Sequence, residues 1–205
     1  MMTTALLSSA YFAPVQWYQK LCRYDRVLIE HHDSYAKQTY RNRCLIAGAN
    51  GVQALTVPVS HSCRISDHGN WRHQHWQAIT SAYGDSPFFQ YYEDDLRPFF
   101  TERWEWLYDF NEAIRQKMCE LLDIQPRVDF TTCYVKEEER AAWQPPADDF
   151  REAINPKHPW PDADFRPRPY YQVFSGKHGF LPNLSILDLL CNMGPESIFF
   201  LIRNQ

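Results

Sequence analysis

Two clusters in this 205-residue chain carry side chains able to do chemistry, one from His31 to Arg43 and one from Tyr170 to Leu190. In the first, Tyr40-Arg41-Asn42-Arg43 sets two guanidiniums close together, and each can donate two parallel hydrogen bonds to a carboxylate or phosphate. Lys37 adds charge, and His31 or His32 can exchange a proton near neutral pH. In the second, Lys177-His178 lies between Gly176 and Gly179, where missing side chains let backbone approach a ligand and His178 serve as a general base. Tyr170 and Tyr171 offer rings for stacking, and Asp188 is a candidate carboxylate. Both clusters also have plain structural readings: a solvated loop entering a hairpin, and a helix start. Ser185-Ile186-Leu187-Asp188 has capping-box spacing, and Asn183 is the alternative cap.

The elements that must position these groups follow from periodicity. Thr3 to Ser9 and Arg26 to Glu30 read as strands around a helix that Pro14 opens and Val15, Tyr18, Leu21 and Cys22 face with apolar side chains. This is a βαβ unit with a parallel pair. In such sheets ligands bind beyond the carboxyl ends of the strands. The loops Tyr11–Gln16 and His31–Arg43 would then share one rim, with Tyr11 and Gln16 as substrate contacts. Two strand-like runs around Asn50-Gly51 predict a β-hairpin. A helical middle follows: one helix through Trp76, Ile79 and Tyr83 to Gly84, a second after Ser86-Pro87, and a third from Trp104 to Leu122. The stripe Phe88, Phe89, Tyr92, Leu96, Phe99 and Phe100 reads as core. Phe130 to Val135 reads as another strand. Residues 136–168 hold a charge cluster and six prolines between 145 and 167, and read as an extended loop, a lid or a linker. The expected fold is α/β: one domain over 1–205 with a partly parallel sheet, a hairpin and a helical middle.

Several chemistries are disfavoured. His61, His68, His73 and His75 lack zinc-ligand spacing, so no metal is expected; His75, heading its helix, reads as a site or capping residue. Asp94 and Asp95 point about 100° apart on a helix and do not form a catalytic pair. Asp109-Phe110-Asn111 falls in a helix that buries aromatics. There is no Gly-x-Gly-x-x-Gly, Walker A or nucleophile-elbow motif, and the cofactor is undefined. A net charge of -4 speaks against an electrostatic nucleic-acid binder. No apolar run reaches the roughly 18 residues a membrane span needs. The start has no basic signal-peptide region, and six scattered cysteines read as free thiols, which together suggest a cytoplasmic protein. Aromatics at 16% suit a core, a ring-binding cleft or an interface, a homo-oligomeric one included.

The blocks Ser9-Ala10-Tyr11-Phe12-Ala13-Pro14-Val15-Gln16-Trp17-Tyr18 and Tyr35-Ala36-Lys37-Gln38-Thr39-Tyr40-Arg41-Asn42-Arg43 resemble the WbqC-like family of bacterial proteins. So do Leu55–Val59, His75–Ile79, Ser86–Tyr92 and Gly179–Asp188. The resemblance implies a place near surface-polysaccharide (O-antigen) assembly, with Tyr40 to Arg43 as the best site candidate; it brings no catalytic set. The expectation is a transferase that modifies an activated sugar by acyl or aminoacyl transfer. In it Arg41 and Arg43 hold an anionic donor or a nucleotide sugar's phosphates, His178 or His31 takes the acceptor's proton, and Tyr11, Tyr170 and Tyr171 stack on a ring. The alternative is a non-catalytic binding or scaffold protein of the assembly machinery. Convergence of Arg41, Arg43, His31, His75, His178 and Asp188 on one pocket would separate the two.

Overall fold

A computed structural model describes residues 2–33, 38–143, 146–157 and 159–202. The apolar runs Ala5-Leu6-Leu7 and Val27-Leu28-Ile29 form β1 (Thr4–Ser8) and β2 (Arg26–Glu30), parallel neighbours joined through helix α1 (Val15–Arg23). This is the expected βαβ unit. The hairpin follows as β3 (Arg43–Gly48) and β4 (Gly51–Thr56), with its ladder running from Arg43↔Thr56 to Gly48↔Gly51. Gly51 sits at φ 102, which side-chain-bearing residues avoid, so the turn needs glycine there.

The middle is helical: α2 (Trp71–Tyr83), α3 (Phe89–Leu96), α4 (Pro98–Thr101) and α5 (Leu107–Leu121). The aromatic stripe is core, with Phe89, Leu96, Phe99 and Phe100 buried. Pro98, which has no N–H to give, divides it between two helices.

The next strand differs from the sequence reading. β5 (Val128–Phe130) ends where the expected run begins, parallel to β2. Thr131 still donates its N–H to the Ile29 carbonyl at 3.1 Å, but the Val135 N–H turns to the Glu30 carboxylate at 3.0 Å, and the ladder stops. The 136–168 stretch also differs, since it is no mere loop. It contains α6 (Glu137–Ala141) and β6 (Asp148–Asp149), which joins β1 in parallel. The sheet order is therefore β5-β2-β1-β6.

Alternation along β1 and β2 feeds two faces. Ala5, Leu7, Val27 and Ile29 enter the main core, while Leu6 and Leu28 meet Val135 and Trp143 on the other side. The chain closes with α7 (Ser175–His178), α8 (Ile186–Met193) and α9 (Ile198–Leu201). Helix α1 is buried along its whole Val15–Leu21 stretch because β2 lies on one side and α8 and α9 on the other. Even Lys20 has no exposed surface; its ammonium sits 2.6 Å from Asp162 and 4.1 Å above the Phe150 ring. No helix among the described residues is long and apolar enough to cross a membrane.

Candidate functional site

The chain steps from β1 outward to β2 and β5, then returns to place β6 on the other side of β1. At such a switch point the loops leaving neighbouring strands diverge, and a crevice opens beyond their carboxyl ends. A cavity of about 210 Å³ lies there. The end of β1 gives it Ser8, Ser9 and Ala10; the segment after β6 gives it Phe150, Arg151, Glu152, Ile154 and Asn155. Trp17 of α1 and Thr39-Tyr40-Arg41 complete the wall. The cavity is smaller than the roughly 300–1,000 Å³ of sites for drug-sized ligands, so it suits a small polar unit or one end of a larger molecule.

The floor is rigid. Ser9 to Lys20 is buried throughout. Tyr11 donates its N–H to the Tyr40 carbonyl at 2.8 Å, and Ser185 donates its hydroxyl to the Phe12 carbonyl at 2.8 Å. The Phe12 ring stacks on Phe100 at 6.0 Å, and its backbone sits at the unusual φ of 39. Asn111 of α5 donates its amide to the Ser9 hydroxyl at 2.9 Å and to the Arg41 carbonyl at 2.8 Å. Asn111 thus ties the helical middle to the rim.

Charge at the rim is already matched. Arg41 pairs with Asp33 and reaches the Ser8 hydroxyl at 3.4 Å; burial pulls its pKa below the ordinary arginine value. Arg151 bonds Glu30 at 3.1 Å and Asp149 at 2.7 Å. Glu30 has no exposed surface and also accepts from the Thr131 hydroxyl at 2.7 Å and the His32 N–H at 2.9 Å. It is the hub that fixes Arg151 and the loops after β2 and β5. Both guanidiniums, planar by resonance, are therefore fixed in orientation. They present polar edges to the cavity, not uncompensated positive charge. Glu152 is exposed and supplies the one carboxylate among the lining residues.

The sequence candidates divide. Tyr40 and Arg41 line the cavity. His31 stands on the same rim beyond the Ser9-Ala10-Trp17 wall, in a crevice of about 10 Å³, its ring 4.5 Å from that of Tyr108. Asn42 spends its amide on the Val57 carbonyl at 2.9 Å, and Arg43 reaches Thr56 at 3.1 Å across the hairpin. Lys37 lies outside the described residues.

The second cluster does not meet the first. Lys177 and His178 bond the Ala49 carbonyl at 2.7 and 3.1 Å, at the hairpin tip. Arg43 begins β3 and Gly48 ends it, so tip and base are separated by about 17 Å of strand. The expected cleft between Tyr170–Leu190 and Tyr40–Arg43 is not formed. Tyr11 is wholly buried, stacked 5.7 Å from Phe110, and has no face for a ligand ring. Its hydroxyl bonds His75 at 2.9 Å; burial lowers His75 to about 4 against a bond to the Thr56 backbone, and the ring is a neutral core group. Asp188 is likewise buried. It accepts from the Tyr170 hydroxyl at 2.8 Å and Gln172 at 2.7 Å, and desolvation raises it to about 6 despite those bonds. Its side chain has turned away from the capping box, leaving Ser185 as the cap of α8. Asn183 and Gln16 clasp each other through two 3.0 Å bonds, and Gln16 continues to Asp162 at 2.8 Å. Tyr171 is exposed. Among the described residues no group of three metal-ligating side chains gathers, and the six cysteines are free, Cys133 exposed and Cys44, Cys119 and Cys191 buried.

What fold and rim define is an α/β protein with an open parallel sheet, an antiparallel hairpin and a cavity of mixed polar and apolar lining at the sheet's switch point. The chain belongs to the WbqC-like protein family, whose model matches residues 9–154 and so includes every cavity-lining loop except Ser8 and Asn155. The 170–190 cluster falls beyond that match. The uncharacterized protein Rv1507c of Mycobacterium tuberculosis (strain ATCC 25618 / H37Rv) is 26% identical over 226 aligned positions, covering 96% of each chain. No solved structure matches.

Proposed function

We propose that the protein is a transferase that modifies the sugar of an activated sugar by acyl or aminoacyl transfer in surface-polysaccharide synthesis. The observation behind this reading is the switch-point cavity, where Trp17, Tyr40 and Phe150 set aromatic surface beside the hydrogen-bonding edges of Arg41, Arg151 and Asn155. Apolar ring faces beside planar polar groups suit a sugar, whose C–H faces pack on aromatics while its hydroxyls pair with polar edges. Glu152, in place of His178, accepts the proton of the acceptor hydroxyl or amine. Since Arg41 is already paired to Asp33, its role is to orient hydroxyls rather than to neutralise a diphosphate.

The test compares nucleotide sugars and surface glycans, without preselection, in cells with the protein, without it, and with Glu152→Gln. Loss of an acyl or aminoacyl substituent from one sugar, unrestored by the variant, is expected. Unchanged glycans and nucleotide sugars in cells lacking the protein would favour the scaffold reading.

A further inference from the structure

A second cavity, of about 400 Å³, opens where the start of α2 meets α4, and the rim site does not use it. Its volume lies within the usual range for organic ligands. Its wall is strongly cationic. Arg72, Arg97 and Arg103 face it with His73, against the single carboxylate of Asp67. Trp76 and Phe100, with ring centroids 5.5 Å apart, supply an aromatic surface beside these charges.

The guanidiniums are only partly used within the protein. Arg72 lies with its guanidinium carbon 4.7 Å above the Trp71 ring and gives one nitrogen to Asp67. Its Nε and Nη2 are buried with no acceptor among the described residues. Those two nitrogens have no accessible surface, so Arg72 gives the groove positive charge rather than direct contact, while an accessible arginine fork binds a carboxylate or phosphate with two oxygens in its plane. Arg97, exposed, makes no ion pair among the described residues, and Arg103 approaches Asp67 only to 3.9 Å. The amino end of α2 points its partial positive charge the same way, and Asn70 there provides no side-chain cap.

We infer that this groove is a separate binding site for a small organic phosphate of nucleoside-phosphate size, its phosphates held by Arg97 and Arg103 and its ring set against Trp76. Phosphate suits the site because two exposed guanidiniums can share its oxygens, and the aromatic wall selects a ring-bearing ester over the free ion. The site stands independently of the transferase reading.

The experiment titrates the whole protein with UDP, inorganic pyrophosphate and uridine while following the indole N–H signals of Trp76 and Trp17 by NMR. UDP is expected to move the Trp76 signal and to bind at least ten-fold tighter than uridine or pyrophosphate. Arg97→Gln/Arg103→Gln, both exposed positions, is expected to weaken UDP at least ten-fold while the rest of the spectrum stays folded. The inference is overturned if the Trp76 signal stays fixed at saturating UDP, or if the double variant binds UDP as well as the parent. Movement of Trp17, which lines the rim, reports on the other site, so the two proposals fail separately.

Discussion

Single side chains at the rim carry distinct expectations. Glu152 lines the cavity, whereas His31 stands behind the Ser9-Ala10-Trp17 wall. Removing a general base typically costs 10²–10⁴ in rate. Glu152→Gln should therefore fail to restore the glycan in cells lacking the protein, and His31→Ala should restore it. Two buried titratable groups pull stability in opposite directions. His75 is held neutral down to about 4, so stability is full above its unfolded value near 6.5 and is lost as pH falls toward 4. Asp188 is raised to about 6, so its protonated form is favoured on folding, and stability is lost as pH rises from about 4 to 6. Each shift corresponds to about 3 kcal/mol. His75 should titrate near 4 by NMR, well below free histidine. Asp188→Asn should make the protein more stable at pH 7 than the parent, and at pH 4 the two should be alike in chemical denaturation. None of this was legible from residue type. His75 and Asp188 looked like site residues because polar groups at helix starts serve both structure and chemistry, but α2 begins at Trp71 and His75 lies one turn inside it. Only their burial separates the two uses.

At the scale of elements, the joints between α1, the C-terminal helices and the 136–168 stretch hold the rim in place. Lys20 and Asp162 form a buried pair, and Gln16 and Lys20 outweigh desolvation to keep the Asp162 carboxyl below its ordinary pKa. Asp162→Ala leaves the Lys20 ammonium buried alone, an expected loss of about 3–5 kcal/mol in unfolding by denaturant. It should also release residues 155–168 to limited proteolysis. Gly194, which ends α8 at φ 53, offers a sharper case: a Cβ there would lie 2.5 Å from the Phe88 ring. Gly194→Ala should cost about 1–3 kcal/mol, read as a lower thermal midpoint. The elements that periodicity could reveal, the βαβ unit, the hairpin and the long helices, lie where the sequence places them. β6 did not announce itself because a two-residue strand of aspartates has neither an apolar run nor alternation. The signal for Arg151 and Glu152 was therefore hidden inside a stretch that prolines made look like linker. Glu30 was more accessible to inference. A glutamate directly after Val27-Leu28-Ile29 sits at the carboxyl end of a parallel strand, where polar groups meet ligands.

For the whole molecule, the order β5-β2-β1-β6 decides where the switch-point cavity opens. The sequence groups Tyr40 and Arg41 with Tyr170–Leu190, whereas in the structure these two line a cavity that the second cluster does not reach. The Tyr170–Leu190 cluster is polar because it fastens α8 and the hairpin tip, through Tyr170–Asp188, Gln172–Asp188 and Lys177–Ala49. The wall opposite Tyr40 and Arg41 comes from the segment after β6. The most direct measurement is titration of the protein with UDP-, GDP- and dTDP-activated sugars, following the Trp17 indole N–H by NMR. At least one activated sugar should move that signal, while the matching nucleoside diphosphate alone should not, and Glu152→Ala should weaken the response. If no activated sugar moves it, or if Glu152→Ala responds as the parent does, the switch-point cavity is not the sugar site.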